Sequence, residues 1–196
     1  ANVATEKQLL KSRRQLIADD TDCSDFWIFG YGSLISNPII EHQQSVIAWI
    51  YGYHRRFCLW TRIGRGSPEC PGLVLSLDQG GSCKGVAFQL HPENAIYELD
   101  LLWRREMLTM SYKPRLLSIH TDYGVKHGLA FVADPNCSAY AQRMPFETTV
   151  EVVANASGFN GSCRDYLFDT CKGMQAFGIR DQQMEKLVAA VQHRLA

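Results

Sequence analysis

The chain has 196 residues, a length that fits one domain better than two. With 46% hydrophobic and 20% charged residues, it has the composition of a globular protein that can bury a sizeable core. Its formal net charge of zero gives no reason to expect a nucleic acid or an anionic membrane as its main partner. No apolar run reaches the roughly 18 residues that a membrane-spanning helix requires.

The first elements along the chain are predicted to be a helix followed by strands. Residues 4–18 have the pattern of an amphipathic helix. Asp25–Tyr31 is short and apolar, like a buried strand. Gln43–Thr61 is rich in residues that favour β-structure, and Gly52 within it indicates a bulge or a sharp bend.

The middle of the chain is predicted to change from strands to a helix. Gly72–Leu77 and Lys84–Leu90 have the pattern of two strands joined by a turn over Gln79–Ser82. His91–Met110 has helical spacing of its apolar residues, with Pro92 at a plausible first helical position.

The last part of the chain is predicted to hold a hairpin and then helices. Arg115–His120 and Val125–Ala133 form the hairpin, and most of the chain from Glu147 onward has helical patterns, ending in a helix over 181–195. Because strands come first as a group, with helices inserted and then appended, the order predicts an α+β fold. Long bent strands with internal glycines indicate a sheet that curls toward a small barrel.

The cysteines and the N-terminal residues bear on the compartment. The seven cysteines are irregularly spaced and include no CxxC pair. Residues 1–20 are polar and mixed in charge, unlike a secretory signal. We therefore expect reduced thiols in a cytoplasmic protein rather than a disulfide framework.

Glu106 is the first candidate for catalysis. It falls between two leucines on the apolar stripe of its predicted helix. A carboxylate at such a position is costly unless it is paired, and burial would raise its pKa toward neutrality, as suits a general base. The alternative is a structural ion pair with Arg56, Arg62 or Arg65, and helix geometry is compatible with both interpretations.

The turn that follows the first strand is a second candidate. In Phe29–Leu34, glycines allow successive backbone N–H groups to point at one spot, where they could hold a carboxylate or an oxyanion. The alternative is an ordinary turn at the end of a strand, because the full GxGxxG spacing is absent and position 35 is Ile.

Two further segments carry polar side chains that could reach a ligand. Arg62–Glu69 is a loop with two arginines, suited to an anionic ligand or else simply exposed to solvent. Gly158–Leu167 has the pattern of a turn entering a helix, in which Tyr166 follows Ser162 by one helical turn. A tyrosine at such a position is either structural or presents its hydroxyl to a site.

Other chemistries have little support in the sequence. It contains no GxSxG elbow, no HExxH and no Walker loop. The six histidines form no recognisable metal cluster, so we expect neither a metal nor another cofactor. A Cys–His hydrolase stays open as an alternative, although nothing marks out a nucleophile.

A series of short motifs follows in one order along the chain. They are Trp27–Leu34 with Pro38 after it, Gly52–Arg55, Phe57–Leu59, Arg65–Glu69, Pro71–Gly72, Gly80–Ser82, Gly85–Ala87, Leu102–Met107 and Gly161–Leu167. Together they resemble the ChaC-like γ-glutamylcyclotransferases, whose known substrate is glutathione. The similarity runs from about residue 26 to the C-terminal helix. We therefore predict a single domain over residues 26–196, preceded by an N-terminal helical extension over residues 1–25.

The resemblance implies a function for each candidate. The turn of Tyr31, Gly32, Ser33 and Leu34 would bind the γ-glutamyl group, and Glu106 would be the acid/base. Tyr166 would match the tyrosine of the family's C-terminal motif, and Arg65 is predicted to contact the substrate. One departure is Phe159, where the family pattern leads us to expect proline, so the approach to Tyr166 is expected to differ.

The activity implied is a cyclising cleavage that needs no cofactor. The α-amine of the glutamyl group would attack its own γ-carbonyl and release 5-oxoproline, with Cys-Gly as the second product when glutathione is the substrate. Two alternatives stay open: cleavage of a different γ-glutamyl amine, or a non-catalytic role as the binding partner of a cation transporter.

Overall fold

The computed structural model describes residues 3–196. Its elements are α1 (Glu6–Leu16), β1 (Trp27–Gly30), α2 (Ser33–Ser36), β2 (His42–Thr61), β3 (Gly72–Leu90), α3 (Ala95–Glu106), β4 (Tyr112–Thr121), β5 (Gly124–Ala133), α4 (Phe146–Asn155), β6 (Ser157–Gly158), β7 (Gly161–Ser162), α5 (Cys163–Ala176) and α6 (Gln182–Leu195). The predicted α+β class is confirmed. No helix within residues 3–196 is long and apolar enough to cross a membrane.

Five strands form a closed barrel in the order β1-β3-β2-β4-β5. β1 pairs antiparallel with β3 and parallel with β5, which closes the circle. One buried apolar cluster takes residues from all five strands; among them are Phe29, Ala48, Ile50, Leu77, Ala87, Ile119 and Ala130. The small barrel predicted from the bent strands is thereby confirmed.

The prediction of two strands over 72–77 and 84–90 is wrong, because β3 is one continuous strand that pairs with β2 along its length. Gly80 and Gly81 have φ angles of 95° and 72°, and the register shifts where they face Gly52, whose φ is 83°. Glycine tolerates these angles, so the additional residues form a bulge and pairing continues beyond it.

α3 is shorter than the helix predicted over His91–Met110. It begins after Asn94 and ends at Glu106, while Pro92 lies in the preceding turn instead of at the first helical position. Beyond the helix, Met110 has a φ of 52° and is exposed, a left-handed conformation that cannot continue an α-helix. Glu106 is therefore the last residue of α3 rather than an interior one.

The remaining predicted elements are confirmed. β4 and β5 form the expected hairpin, and α4, α5 and α6 fill the last third of the chain. On α6, the side chains of Met184, Leu187 and Val191 are buried, as its apolar stripe predicted. They join a cluster with α4, α5 and one end of β3, so the C-terminal helices pack against the barrel.

The helix predicted near the N-terminus is α1, which packs on α3. The guanidinium of Arg13 is almost fully buried and donates to Asp100 at 2.9 Å, and the Trp103 indole donates to Ser12 Oγ at 2.9 Å. These contacts tie α1 to the helix that carries Glu106. The division of the chain at residue 25 stays a prediction.

Candidate active site

A cavity opens where the turn after β1 meets the end of α3. It is lined by Phe29, Tyr31, Gly32, Ser33, Leu34, Leu75, Glu106, Tyr112, Phe131 and Tyr166. All the predicted site residues except Arg65 thus line one cavity, although they come from three distant segments of the chain. Phe29, the first residue of the predicted turn segment, also lines the cavity. So do Leu75, Tyr112 and Phe131, which no pattern in the sequence singled out.

Glu106 combines burial with access to the cavity. Only 14% of its side chain is exposed, and burial raises the pKa of its carboxyl group above the ordinary value, opposed by the charge of Arg105. Its position at the C-terminal end of α3 also disfavours a negative charge. The carboxyl group can therefore take up and release a proton closer to neutral pH than an exposed glutamate can.

Arg105 is a site residue that the sequence reasoning missed. Its Nε lies 3.3 Å from Glu106 Oε1, its Nη1 donates to the carbonyl of Asn37 at 3.1 Å, and its Nη2 donates to Ser33 Oγ. One guanidinium thus joins the candidate acid/base to the turn of the candidate binding loop. The ion pair left open as an alternative exists, but with the adjacent residue rather than with a distant arginine. A possible signal was the cation directly before the glutamate.

We expect Arg105→Gln to move the acidic limb of the pH–activity profile to higher pH. The neighbouring positive charge lowers the pKa of Glu106, so its loss raises that pKa, and a base with a higher pKa is protonated at higher pH. The readout is the pH dependence of kcat/KM. Arg104→Gln is the matched control, since Arg104 is paired with Glu6 away from the cavity. A limb that stays in place or moves to lower pH contradicts the assignment.

A buried arginine holds the turn after β1. The Nε of Arg55 donates to the Tyr31 carbonyl at 2.5 Å, and its two terminal nitrogens donate to Asp181 at 2.6 Å and to the Lys84 carbonyl at 2.7 Å. Only 2% of the Arg55 side chain is exposed. Arg55 therefore links the barrel, the turn after β1 and the start of α6.

We expect Arg55→Met to lower the free energy of unfolding by about 3–5 kcal/mol, because it leaves a carboxylate and two carbonyls without their donor. Denaturant unfolding measures the change. Arg180→Met is the control: its ion pair with Glu185 is exposed, so a change within about 0.5 kcal/mol is expected. A loss below about 1 kcal/mol for Arg55→Met would contradict a structural role for this contact.

Tyr166 enters the cavity from α5. Ser162 is the N-cap of this helix and accepts from the Asp165 N–H at 3.1 Å, which confirms the predicted turn into a helix. The Tyr166 hydroxyl lies 3.4 Å from the point that a Cβ on Gly32 would occupy. A methyl group at position 32 would be in van der Waals contact with this hydroxyl, so the turn and the tyrosine lie close together. Phe159, the departure from the family pattern, is 97% exposed at the tip of the β6–β7 hairpin.

Arg65 lies behind Tyr166 and does not line the cavity. Its guanidinium carbon is 5.4 Å from the centre of the Tyr166 ring, and Nη1 donates to the Ser162 carbonyl at 3.4 Å. These contacts place it as a support for the tyrosine. A direct contact between Arg65 and substrate stays a prediction.

The tyrosines that line the cavity can donate and accept hydrogen bonds, but they do not act as bases. Burial raises the pKa of Tyr31, Tyr112 and Tyr166, and the charge of Glu106 adds to this in all three. Tyr112 donates its hydroxyl to the Leu75 carbonyl at 3.1 Å. Glu106 is thus the only carboxylate among the residues that line the cavity.

The geometry gives no support to a cysteine nucleophile. All seven cysteines are free, and neither Cys nor His lines the cavity. Burial raises the pKa of the Cys58 thiol to about 12 and those of Cys83 and Cys171 to about 11, so these thiols stay protonated at neutral pH. Within residues 3–196, no group of His, Cys, Asp and Glu side chains is arranged to hold a metal ion.

Comparison with known proteins identifies a family and relatives that this chain resembles. The sequence profile described as ChaC-like protein matches residues 26–194. A relative named glutathione-specific gamma-glutamylcyclotransferase from Escherichia coli (strain K12) is 35% identical over 201 residues, covering 98% of this chain and 87% of the relative. The human protein named glutathione-specific gamma-glutamylcyclotransferase 1 is 32% identical over 185 residues, covering 90% and 83%.

A solved structure supports the fold assignment. The crystal structure of a gamma-glutamyl cyclotransferase specific to glutathione from yeast superposes with a TM-score of 0.80 at 21% identity, covering 87% of this chain and 96% of the yeast chain. The barrel, with its flanking helices, is therefore shared between the two proteins. From the profile match and the identities together, the chain belongs to the ChaC-like protein family.

Proposed function

We propose that this chain is a γ-glutamylcyclotransferase that cleaves glutathione into 5-oxoproline and Cys-Gly. The observation that carries the proposal is the largely buried Glu106 carboxyl group, which lines the same cavity as the Tyr31–Leu34 turn and has a raised pKa. The names of relatives at 32–35% identity support the same activity and the same substrate.

In this proposal the γ-glutamyl end of the substrate lies against the Tyr31–Leu34 turn. α2 begins at Ser33, and the first N–H of this turn to bond a backbone carbonyl is that of Ile35, which donates to Gly32 at 2.9 Å. The N–H groups of Ser33 and Leu34 precede it and are available to the substrate carboxylate or to an oxyanion. Phe29, Leu75 and Phe131 offer an apolar wall to the methylene groups of the glutamyl chain.

Glu106 moves the protons. It accepts one from the α-ammonium, and the freed amine attacks the γ-carbonyl carbon to close a five-membered ring. The adduct collapses as the bond to the cysteine nitrogen breaks. Two protons pass from the α-nitrogen to the departing nitrogen, both by way of Glu106, and no water is consumed. Because the nucleophile is part of the substrate, the protein mainly has to hold a near-attack geometry.

The experiment that tests this function is turnover by the purified chain across a panel of γ-glutamyl compounds, with 5-oxoproline as the measured product. We expect glutathione to be the best substrate. A faster reaction with another γ-glutamyl amine would show that the proposed reaction is correct but that glutathione is not the preferred substrate. Absence of 5-oxoproline from every member of the panel would contradict the proposal and return attention to a binding role at a transporter.

A cytoplasmic location is part of the same proposal. The seven free cysteines include Cys70, which is exposed, and an exposed free thiol persists most readily in a reducing compartment.

A further inference from the structure

A second cleft begins where the first cavity ends. It runs between the end of β2 with the loop after it and the segment that links α3 to β4. It shares Glu106 and Tyr112 with the first cavity. A substrate whose glutamyl group fills the first cavity therefore has its scissile bond near these two residues, and the rest of the molecule has this cleft to extend into.

The cleft has an excess of positive charge. Its charged lining residues are Arg62, Arg105 and Glu106. Arg105 is committed to Glu106, Ser33 and Asn37, as described above. Arg62 is exposed and makes no ion pair with any residue from 3 to 196. It is the cation of the cleft with donors available to a ligand.

The remainder of the lining is mixed. Leu59, Trp60 and Val74 contribute apolar surface, and Ser111 and Asn160 contribute polar groups. A short peptide with a small side chain has surfaces of both kinds. Its backbone can bond to the polar groups while its side chain contacts the apolar wall.

We propose that this cleft binds the leaving part of the substrate and that Arg62 pairs with its terminal carboxylate. The inference rests on the proposed cyclotransferase function and extends it to a substrate class: γ-glutamyl peptides that end in a carboxylate, in preference to γ-glutamyl amines that lack one. A guanidinium matches a carboxylate with two parallel N–H donors, so Arg62 determines specificity at the end of the substrate distant from the reacting atoms.

The test crosses one substitution with two substrates. Arg62→Gln is compared with the wild-type chain on glutathione and on glutathione with its glycine carboxylate converted to an amide. We expect the substitution to lower kcat/KM for glutathione by about 10-fold, mainly through KM, and to change the value for the amide by less than about 2-fold. The difference should shrink as salt is added, because a solvent-accessible ion pair is screened.

Arg143→Gln is the matched control, since Arg143 is also exposed and lies outside the cleft. It removes the same charge and should leave both substrates unaffected. An equal loss on both substrates would assign Arg62 to loop structure, and no loss on either would remove it from the site; each result overturns the inference.

A binding measurement separates this inference from the proposed function. Cys-Gly and its C-terminal amide are titrated onto both chains, a readout that needs no turnover. We expect wild type to bind Cys-Gly about 10-fold more tightly than the amide, and Arg62→Gln to lose this preference. If wild type forms no 5-oxoproline but still prefers Cys-Gly to its amide, the proposed function is contradicted and the carboxylate site is supported. If 5-oxoproline forms without any preference, the site fails and the function stands.

Discussion

We expect Glu106→Gln to lower kcat by about 10²–10⁴-fold, the range usual for the loss of an acid/base. Gln retains the shape and the hydrogen-bonding oxygen but cannot carry a proton between the two nitrogens. The carboxylate that it replaces is largely buried and lies 3.3 Å from Arg105. It is the only carboxylate that lines the first cavity, so no other carboxylate there can substitute for it. The measurement is steady-state formation of 5-oxoproline from glutathione.

Glu98→Gln is the matched control. Glu98 is on the same helix and is only 3% exposed, but its carboxylate accepts from the Glu41 N–H at 3.1 Å and does not line the cavity. We expect this variant to keep near-normal turnover. Circular dichroism and thermal unfolding should report a folded chain for both variants. Near-normal turnover in a folded Glu106→Gln chain would contradict the assignment of Glu106 as acid/base.

Acylation of the substrate's α-amine is expected to abolish cleavage. In the proposed reaction this amine is the nucleophile, so N-acetylglutathione has no atom in place to attack the γ-carbonyl. A hydrolase, by contrast, uses water or a side chain and can accept the blocked amine. Product formation from glutathione and from its N-acetyl derivative is compared at equal concentration.

Binding of the blocked substrate has to be shown separately. Competitive inhibition of glutathione cleavage by N-acetylglutathione would indicate that it occupies the site without reacting. Efficient cleavage of the N-acetyl derivative would exclude attack by the α-amine, even if Glu106 proved essential.

The fold was predictable wherever local pattern and long-range pairing agree. The α+β class, the β4–β5 hairpin and the C-terminal helices follow from periodicity and turn residues. The single strand β3 did not, because Gly80 and Gly81 favour a turn in isolation. In the folded chain these glycines lie opposite Gly52 of β2 and form a bulge. A local sequence pattern cannot show this, because the bulge depends on the partner strand.

A site residue was predictable where its type was unusual for its position in the local sequence pattern. A glutamate on an apolar stripe drew attention to Glu106, yet Glu98 on the same helix is more deeply buried. What distinguishes the two is the cavity, which only the folded chain assembles. Arg105 was missed because its contacts with Ser33 and Asn37 span about 70 residues of sequence.

The cyclising cleavage itself is tested most directly by running the reaction with glutathione in water enriched in ¹⁸O and analysing the products by mass spectrometry. Attack by the α-amine uses no water, so we predict 5-oxoproline and Cys-Gly that both lack solvent oxygen. Hydrolysis would place ¹⁸O in the γ-carboxylate of glutamate, and later closure of that glutamate would retain part of the label. Labelled 5-oxoproline, or free labelled glutamate as the first product, would contradict the mechanism.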